Sequence, residues 1–328
     1  MSERVAIGVP VRDEAAMLPR LLAALARLDL TGVEAAFCFF LDGCTDASAA
    51  IVRAAALPGT VRIAAGARHP DANAGRARAA AMALAVTEDV LLSTDADSRP
   101  RADWVQAASR ALKVADVVAG RIVCAGGADP LQARVERYWD RLHDLRRLLD
   151  PVPWEAGGCH HGGGANLAMR ADAYRLVGGF RAQPAGEDAL LLDDAGRAGL
   201  RVRRDPAMVV ETSARRIGRA PGGLAASLRA LDAGGLPRVP HPAGAAWQYE
   251  HHAVARGAFD DAGGRAALGA MLGLSADHVL GVARDCPNAE AFAMRIVPAA
   301  PGGERLVSLP EAEAALAVLE GRLCRGAA

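Results

Sequence analysis

The sequence lacks the features that would tie it to several large classes of protein. Its 38 lysines and arginines balance its 38 aspartates and glutamates, so it has no positive excess of the kind that binds nucleic acid or an anionic membrane. No apolar run is long enough for a membrane-spanning helix. The six cysteines are scattered without C-x-x-C spacing, which argues against a zinc or redox motif. Any anion that the protein binds must therefore be held locally.

The first residues also lack the basic stretch, apolar segment and cleavage site of a secretory signal. A strand-like run begins almost at once, and Asp13 and Glu14 follow it closely. Together with the scattered cysteines, this start predicts a cytoplasmic protein with reduced thiols. If the protein contacts a membrane at all, we expect only peripheral binding at its surface. Lys113 is the only lysine, a bias that a genome of high GC content produces without any functional cause.

What the sequence does have is length and a repeating order of strands and helices. Its 328 residues, 52% of them hydrophobic, can form one large α/β domain with an appendage or two ordinary domains. Over the first hundred residues, helical patterns separate strand-like runs at 5–11, 33–41, 61–65 and 90–94. This order predicts parallel strands joined by right-handed crossovers, in a sheet with helices on both faces.

The middle of the chain continues this pattern with longer helices. A helix should open near Pro100, and a long amphipathic helix is predicted over 130–149. Another helix is predicted over 187–198, ending at a glycine that can serve as its C-cap. A last strand at 208–210 closes this part of the chain.

A change of character near residue 218 predicts a domain boundary. We expect a catalytic domain at 1–217 and an extension at 218–328, in which Gly and Pro separate short helical patterns. A hairpin is predicted over 293–308. Ser308 and Glu311 have capping-box spacing, so the final helix should begin there.

Polar residues recur at the strand ends, where parallel α/β sheets bind their ligands. Asp95 and Asp97 lie one residue apart after an apolar strand and can project to the same side. They could share a hard divalent cation and, through it, a diphosphate. A solvated turn before the following helix is the alternative that the residues themselves leave open.

Six segments follow one another in an order that is far more specific than any one of them. They are Val5-Ala6-Ile7-Gly8-Val9-Pro10-Val11-Arg12-Asp13-Glu14, Asp42-Gly43-Cys44-Thr45-Asp46, Asn73-Ala74-Gly75-Arg76, Leu91-Leu92-Ser93-Thr94-Asp95-Ala96-Asp97-Ser98, Gly163-Gly164-Ala165-Asn166-Leu167-Ala168-Met169-Arg170 with Val177-Gly178-Gly179-Phe180, and Gly186-Glu187-Asp188. Over roughly residues 4–216, this ordered set resembles the inverting family 2 glycosyltransferases of the GT-A fold.

The resemblance implies the three-layer α/β sandwich of nucleotide-diphospho-sugar transferases, with a mainly parallel sheet and a mostly helical C-terminal extension. It implies inverting transfer of a sugar from a nucleotide diphosphate donor to an acceptor hydroxyl, assisted by Mg²⁺ or Mn²⁺. Asp97, supported by Asp95, would hold the metal. Asp188 matches the residue that takes the acceptor proton, and Glu187 would orient it or the acceptor. Taken alone, these two acids also fit the ordinary acidic first turn of a helix.

The other candidate residues divide into a donor side and an acceptor side. Donor-binding candidates are Pro10, Val11, Arg12, Asp13, Glu14, Asp42, Asn73, Arg76, Asp95, Arg215, Arg216 and Arg219. Acceptor-side candidates are Gly163, Gly164 and Asn166. Arg215, Arg216 and Arg219 could close over the diphosphate, because guanidinium groups bind phosphate well. Alternatively, they could form an exposed basic loop. Leu41 stands where the family commonly has an acid, so the donor need not be a uridine nucleotide.

Two other functions remain as alternatives. A sugar-phosphate nucleotidyltransferase normally has a glycine-rich phosphate loop after its first strand, and the run at 9–13 is not one. The G-x-G-x-x-G of a nicotinamide enzyme is also absent there. A non-catalytic binding or scaffold protein of the same fold would bind nucleotide without metal dependence or donor hydrolysis. The acceptor is unknown, and we expect a small soluble or membrane-surface molecule.

Overall fold

The computed structural model describes residues 2–85, 88–127, 130–218, 223–234 and 237–326. Its strands are β1 (Glu3–Val11), β2 (Val33–Asp42), β3 (Thr60–Gly66), β4 (Val90–Ser93), β5 (Ser98–Pro100), β6 (Val117–Cys124), β7 (Leu167–Arg170), β8 (Val202–Thr212), β9 (Arg238–Pro240) and β10 (Leu306–Ser308). The first eight strands form one sheet in the order β3-β2-β1-β4-β7-β6-β8-β5. Four of its pairings are parallel, whereas β7 and β5 run antiparallel to their neighbours. The predicted mainly parallel sheet is confirmed.

Helices follow most strands and make up most of the C-terminal part. They are α1 (Leu18–Leu25), α2 (Ser48–Arg53), α3 (Ala74–Met82), α4 (Trp104–Ala111), α5 (Pro130–Leu149), α6 (Ala171–Leu176), α7 (Glu187–Arg197), α8 (Leu224–Asp232), α9 (Pro242–Ala258), α10 (Ala262–Leu272), α11 (Ala276–Arg284), α12 (Ala289–Ile296) and α13 (Leu309–Gly326). The predicted mostly helical C-terminal part is confirmed. Within the described ranges, no single helix has the length and hydropathy of a membrane span, although α10 and α11, bent by 120°, together meet those criteria.

The chain forms two compact units that interleave along the sequence. The first contains residues 1–128, 161–193 and 202–229, and the second contains 129–160, 194–201 and 230–328. The eight-stranded sheet belongs to the first unit. Division of the chain into domains at residue 217 stays a prediction.

The core of the first unit lies along its central strands. Residues on both faces of β1 and β2 are buried, as expected for parallel strands covered by helices on both sides. Ile7, Phe37 and Phe39 are fully buried, and Trp104 at the start of α4 joins them. Since these strands end beside one another, their carboxyl ends meet at one edge of the sheet.

Described residues of the second unit form two helical cores. One is built around Phe292 on α12 with residues from α9, α10 and α11. The other brings Tyr138 and Leu142 of α5 against Leu309 and Leu316 of α13. Ser308 Oγ accepts the backbone N–H of Glu311 at 3.4 Å, so the predicted start of the last helix is confirmed.

Two predictions about local structure are wrong. The region 293–308 is not a hairpin, because its first part belongs to α12, which Asn288 caps by accepting the N–H of Ala291. Its last part forms β10, which pairs with the distant strand β9. The helix predicted near Pro100 begins instead at Trp104, since β5 first pairs with β8.

Candidate functional site

A cavity of about 230 Å³ lies in the first unit where β1, β2 and β4 end. Its lining includes most of the residues predicted for the donor side, namely Pro10, Val11, Arg12, Glu14, Asp42, Asn73, Asp95 and Arg215, together with the predicted metal ligand Asp97. These residues come from separate parts of the sequence, and the parallel pairing of the strands brings them to one edge. The sheet topology is therefore what assembles this cavity.

One wall of the cavity carries an arginine–aspartate pair. Asp42, at the end of β2, is 3% exposed, and its Oδ2 lies 2.9 Å from Nη1 of Arg12. Arg76 lies farther away, with its Nη2 4.0 Å from Asp42 Oδ1. Asn73 caps α3 by accepting the N–H of Arg76 at 2.8 Å. The N-x-G-[KR] segment thus fixes the start of α3 beside the cavity.

Asp13 shapes the turn that follows β1. It is the one non-glycine among the described residues with a positive φ, at 50°. Its Oδ1 accepts the backbone N–H of Thr45 at 2.7 Å, and its Oδ2 pairs with Arg68 at 2.7 Å. The Thr45 hydrogen bond and then the Arg68 contacts lower the pKa of Asp13 to about 2, although partial burial opposes the change. Asp13 is thus a charged anchor of the turn and does not line the cavity.

The end of β4 carries the two aspartates predicted to hold a metal. Asp97 lies 3.0 Å from Nη2 of Arg215, which also forms a two-pronged pair with Glu14 at 2.5 and 2.6 Å. Burial and then the nearby charge of Asp95 raise the pKa of Asp97 to about 6, even though Arg215 opposes this. Asp97 is therefore a partly buried carboxylate, with its side chain 15% exposed, in a region with excess negative charge.

Arg78 of α3 lies between the two sides of the site and is only 5% exposed. Its Nη2 is 2.9 Å from Asp95 Oδ1, and its Nε is 3.1 Å from Glu187 Oε1. Its Nη1 donates to Ser93 Oγ at 2.8 Å and to the carbonyl of Gly164 at 2.9 Å. Burial disfavours its charge, but the nearby carboxylates outweigh that effect and raise the pKa of Arg78. The guanidinium therefore stays charged.

The two acids that open α7 differ in exposure. Glu187 is 3% exposed and paired with Arg78, and burial raises the pKa of its carboxyl while Arg78 opposes the change. Asp188 is partly exposed, and its Oδ2 accepts the N–H of Gly164 at 2.7 Å. Asp188 is thus the member of the pair that a substrate hydroxyl could reach.

The acceptor-side residues are placed differently from one another. Gly163 and Gly164 form the turn beside Asp188, and a Cβ on Gly164 would lie 2.5 Å from Cζ of Arg78. Asn166 is fully buried, and its amide donates to two backbone carbonyls and accepts from the indole N–H of Trp104 at 2.7 Å. Its side chain therefore ties β6, β8 and α4 together and does not line the cavity.

Of the three arginines of the predicted closing loop, the structure describes Arg215 and Arg216, which differ in position and contacts. Arg215 points into the cluster of carboxylates described above. Arg216 donates to the carbonyl of Ala214 at 2.7 Å and does not line the cavity. Arg219 lies outside the described residues.

Arg78 is not among the residues predicted from the sequence, although a signal for it exists. The buried face of α3 contains Gly75, Arg78 and Met82, which follow helical spacing. A lone arginine on such a face must find partners, because a buried charge without them is costly. Its position two residues after the N-x-G-[KR] motif could have marked it as part of the site.

The residues at the end of β4 fit a divalent cation. The carboxylates of Glu14, Asp95, Asp97, Glu187 and Asp188 outnumber the guanidiniums of Arg78 and Arg215 with which they cluster. Carboxylate oxygens are the ligands that Mg²⁺ and Mn²⁺ prefer. A cation would also favour ionisation of Asp97, whose pKa is raised by burial and then by the charge of Asp95.

Comparison with known families agrees with this arrangement. The model of the family described as glycosyl transferase family 2 matches residues 6–176, just over half of the 328-residue chain. The match includes the ends of β1, β2 and β4, the start of α3 and the Gly163–Gly164 turn. The comparison with curated proteins gives no match.

Solved structures share the fold at low sequence identity. One is the mannosyltransferase PcManGT from Pyrobaculum calidifontis in complex with GDP-Man and Mn²⁺, with 17% identity over 90% of this chain and 86% of that chain and a TM-score of 0.52. Another is S. aureus TarS 1–349 in complex with UDP-GlcNAc, with 14% identity, 90% of each chain covered and a TM-score of 0.51. A further S. aureus TarS structure has 15% identity, a TM-score of 0.49 and coverage of 64% of this chain and 36% of that chain. The GT-A fold expected from the motifs is confirmed.

Proposed function

Because this chain belongs to glycosyl transferase family 2, we propose that it moves a sugar from a nucleotide diphosphate donor to an acceptor hydroxyl, with inversion and with a divalent cation. The observation that carries this proposal is the cluster of carboxylates at the end of β4, which Arg78 connects to Asp188 through Gly164. In this proposal, a cation-binding end and a base belong to one group of side chains. Both are needed to break a glycosyl phosphate bond and form a new glycosidic bond.

The nucleotide diphosphate occupies the cavity at the strand ends in this proposal. Arg12, Asp42 and Asn73 form the wall for the nucleoside, and Arg215 lies on the diphosphate side. A guanidinium that already pairs with carboxylates can exchange them for phosphate groups. Carboxylate and phosphate oxygens both accept paired N–H groups from a guanidinium. The two solved relatives were bound to GDP-Man and to UDP-GlcNAc, which supports this donor class without selecting a base.

Asp97 and Asp95 are the residues that would hold Mg²⁺ or Mn²⁺. A bound cation supplies charge neutralisation for the departing diphosphate. The presence of Mn²⁺ in the PcManGT complex supports this role, and it does not decide between the two metals. Asp97 must ionise to act as a ligand, so its elevated pKa makes metal binding dependent on pH.

Asp188 is the proposed general base. Its carboxylate takes the proton of the acceptor hydroxyl while the acceptor oxygen forms a bond to the anomeric carbon of the sugar. The bond between that carbon and the diphosphate breaks, and its electron pair leaves with the nucleoside diphosphate. Attack from the side opposite to the leaving group inverts the configuration. Glu187 is sealed and paired with Arg78, so it orients this corner of the site and does not take the proton.

The remaining features of the proposal concern the surroundings of the reaction. We place the enzyme in the cytoplasm, with the catalytic domain in residues 1–217 and an extension in 218–328. Pro10, Val11, Asp13, Glu14, Arg76, Arg216 and Arg219 are proposed to support donor binding, and Gly163, Gly164 and Asn166 to support the acceptor side. Asn166 would do so by fixing the sheet beside the Gly163–Gly164 turn.

Calorimetric titration with nucleotides tests this function. UDP, GDP and dTDP are each added with Mn²⁺ or Mg²⁺ to the wild-type protein and to Asp97→Ala. We expect one nucleotide to bind with a dissociation constant on the order of micromolar, only with metal, and to lose this binding in the variant. The nucleotide that binds shows which sugar nucleotides should be tested as donors, in hydrolysis and in transfer.

Asp89→Ala is the matched control. Asp89 also pairs with an arginine in the first unit, but its side chain is 52% exposed and it is not among the residues lining the cavity. This variant should bind nucleotide like the wild type. Metal-independent binding, or binding to none of the three nucleotides, would rule out the proposed donor site.

A further inference from the structure

We propose that Arg78 is a positioning residue that aligns the donor side of the site with the catalytic base. This inference rests on the proposed function and deepens it. Arg78 lies outside the motifs that carry the family resemblance, and it occupies the buried face of α3. Its guanidinium reaches residues 15, 17, 86 and 109 positions away in the sequence. Its hydrogen bonds join the strand end of β4 to both the Gly163–Gly164 turn and α7.

The hydrogen bonds of Arg78 connect the two sides directly. On the donor side, Nη2 holds Asp95 at 2.9 Å. On the base side, Nη1 holds the carbonyl of Gly164 at 2.9 Å, while the N–H of the same glycine holds Asp188 Oδ2 at 2.7 Å. The guanidinium of Arg78 therefore holds the Gly163–Gly164 turn, and the N–H of Gly164 holds Asp188.

Additional contacts limit the movement of Arg78 itself. Ser93 Oγ accepts from Nη1 and also donates to the Gly164 carbonyl at 2.7 Å, which closes a small hydrogen-bonded ring. The guanidinium carbon lies 5.6 Å from the ring centre of Phe180, within the range of a cation–π contact. The planar fork thus has a single orientation that satisfies its partners.

Gly164 is part of the same device. A Cβ there would lie 2.5 Å from both Cζ and Nη2 of Arg78, closer than real atoms approach. The arginine could not give way easily, because it is buried and held by Asp95, Glu187 and Ser93. The absence of a side chain at 164 is therefore what lets the guanidinium reach the backbone.

A split between donor binding and turnover tests this role. Arg78→Met removes the guanidinium but leaves Asp97, Arg12 and Asn73 in place for the nucleotide. We expect the nucleotide diphosphate to bind with Mn²⁺ at least as tightly as in the wild type, while kcat for hydrolysis of the matching sugar nucleotide falls about 100-fold. Arg78→Lys keeps the charge but loses the fork, so it should recover only part of kcat.

Gly164→Ala is a second variant that does not depend on losing a buried charge. The added methyl group displaces the guanidinium, and we expect kcat to fall about tenfold with nucleotide affinity unchanged. Gly281→Ala is its control, because a Cβ there meets nothing within 4 Å and kcat should stay the same.

Arg62→Met controls for the loss of an arginine from a buried carboxylate. Arg62 pairs with Glu88, whose side chain is 6% exposed, away from the cavity lining. This variant should lose stability but keep kcat. If Arg78→Met and Gly164→Ala kept wild-type kcat, or if kcat and nucleotide affinity fell together, Arg78 would not be a positioning residue. A wild-type protein that neither binds nucleotide with metal nor hydrolyses a donor would instead contradict the proposed function.

Discussion

Both compact units bury arginines against carboxylates, but they do so with different charge balance. In the second unit, Arg146 and Arg256 each contact both Asp150 and Glu290, which links α5, α9 and α12. Glu155 lies at the edge of this ring, 3.9 Å from Arg146. The two guanidiniums and two carboxylates of the ring thus neutralise one another, and Glu155 adds one carboxylate at its edge, against an excess of three carboxylates (five against two) in the first unit.

The cluster of the first unit has no such balance. Its carboxylates exceed its guanidiniums, and Asp95 and Asp97 line a cavity. A closed ring links neighbouring helices, whereas an open cluster with excess negative charge can accept a cation and a substrate. The comparison teaches that burial of a charge does not identify a functional site. A cavity and unbalanced charge beside it are what distinguish the candidate site from the ring.

The largest effect should come from Asp188, the proposed base of the open cluster. Asp188→Asn keeps the shape of the side chain and its hydrogen bond from Gly164 but cannot take a proton. We expect kcat to fall by about 10²–10⁴ with little change in the free energy of unfolding. Steady-state kinetics and chemical denaturation of the same samples measure both quantities. A variant with wild-type turnover would show that proton transfer uses another group.

The ring of the second unit should respond in the opposite way. Arg256→Met leaves Asp150, which is 2% exposed, and Glu290 with one partner fewer. Removing one member of a buried ion pair costs about 3–5 kcal/mol, which urea denaturation can detect. Nucleotide affinity, measured where the variant is folded, should stay the same. A loss of affinity without a loss of stability would break the contrast between the two clusters.

Substitution of Arg215 should change metal affinity and nucleotide affinity in opposite directions. Arg215→Gln removes a positive charge beside Asp97 and Glu14. We expect Mn²⁺ alone to bind about tenfold more tightly and nucleotide diphosphate to bind about tenfold more weakly, each about 1.4 kcal/mol. Calorimetry with Mn²⁺ and then with nucleotide measures the two changes. Changes of the same sign would contradict the placement of Arg215 on the diphosphate side.

A smaller, pH-dependent effect should come from His252 beside the ring. Burial, followed by the charges of Arg256 and Arg146, lowers the pKa of His252 to about 3, whereas a histidine in an unfolded chain titrates near 6.5. The unfolded state therefore takes up a proton as pH falls below about 6.5, and the folded state does not. The stabilisation is complete above that pH and is lost progressively towards pH 3.

Denaturation at pH 6.5 and 5.5 measures this contribution. The wild type should lose about 1 kcal/mol more than His252→Gln over that interval. An equal loss in both proteins would mean that the acid sensitivity comes from other groups.

The parallel half of the sheet could be predicted because its sequence is simple. β1, β2 and β4 are continuous apolar runs that end in polar motifs, so both their positions and their common edge follow from the pattern. β8 was harder, because Arg203, Arg204 and Asp205 interrupt its apolar pattern although they pair with β6. Only its last part, at 208–210, has the composition of a strand.

Pairings between distant segments could not be read from local sequence. β9 and β10 join residues 68 positions apart, and neither segment is long enough to show a strand pattern. The same reason explains why Arg78 was missed, since its partners become evident only when α3, β4 and α7 are packed. Local patterns predict elements and strand ends, whereas side-chain networks depend on the packing of the whole unit.

The interleaving of the two units also affects the order in which helices that pack together are synthesised. Within the second unit, α5 packs along α13, and Arg134 pairs with Glu313 while Arg141 pairs with Glu320. Each pair joins residues 179 positions apart. At a translation rate of about 5–20 residues per second, α5 leaves the ribosome roughly ten to forty seconds before α13. During that interval the apolar side chains of α5 that pack against α13, such as Tyr138 and Leu142, lack that covering helix.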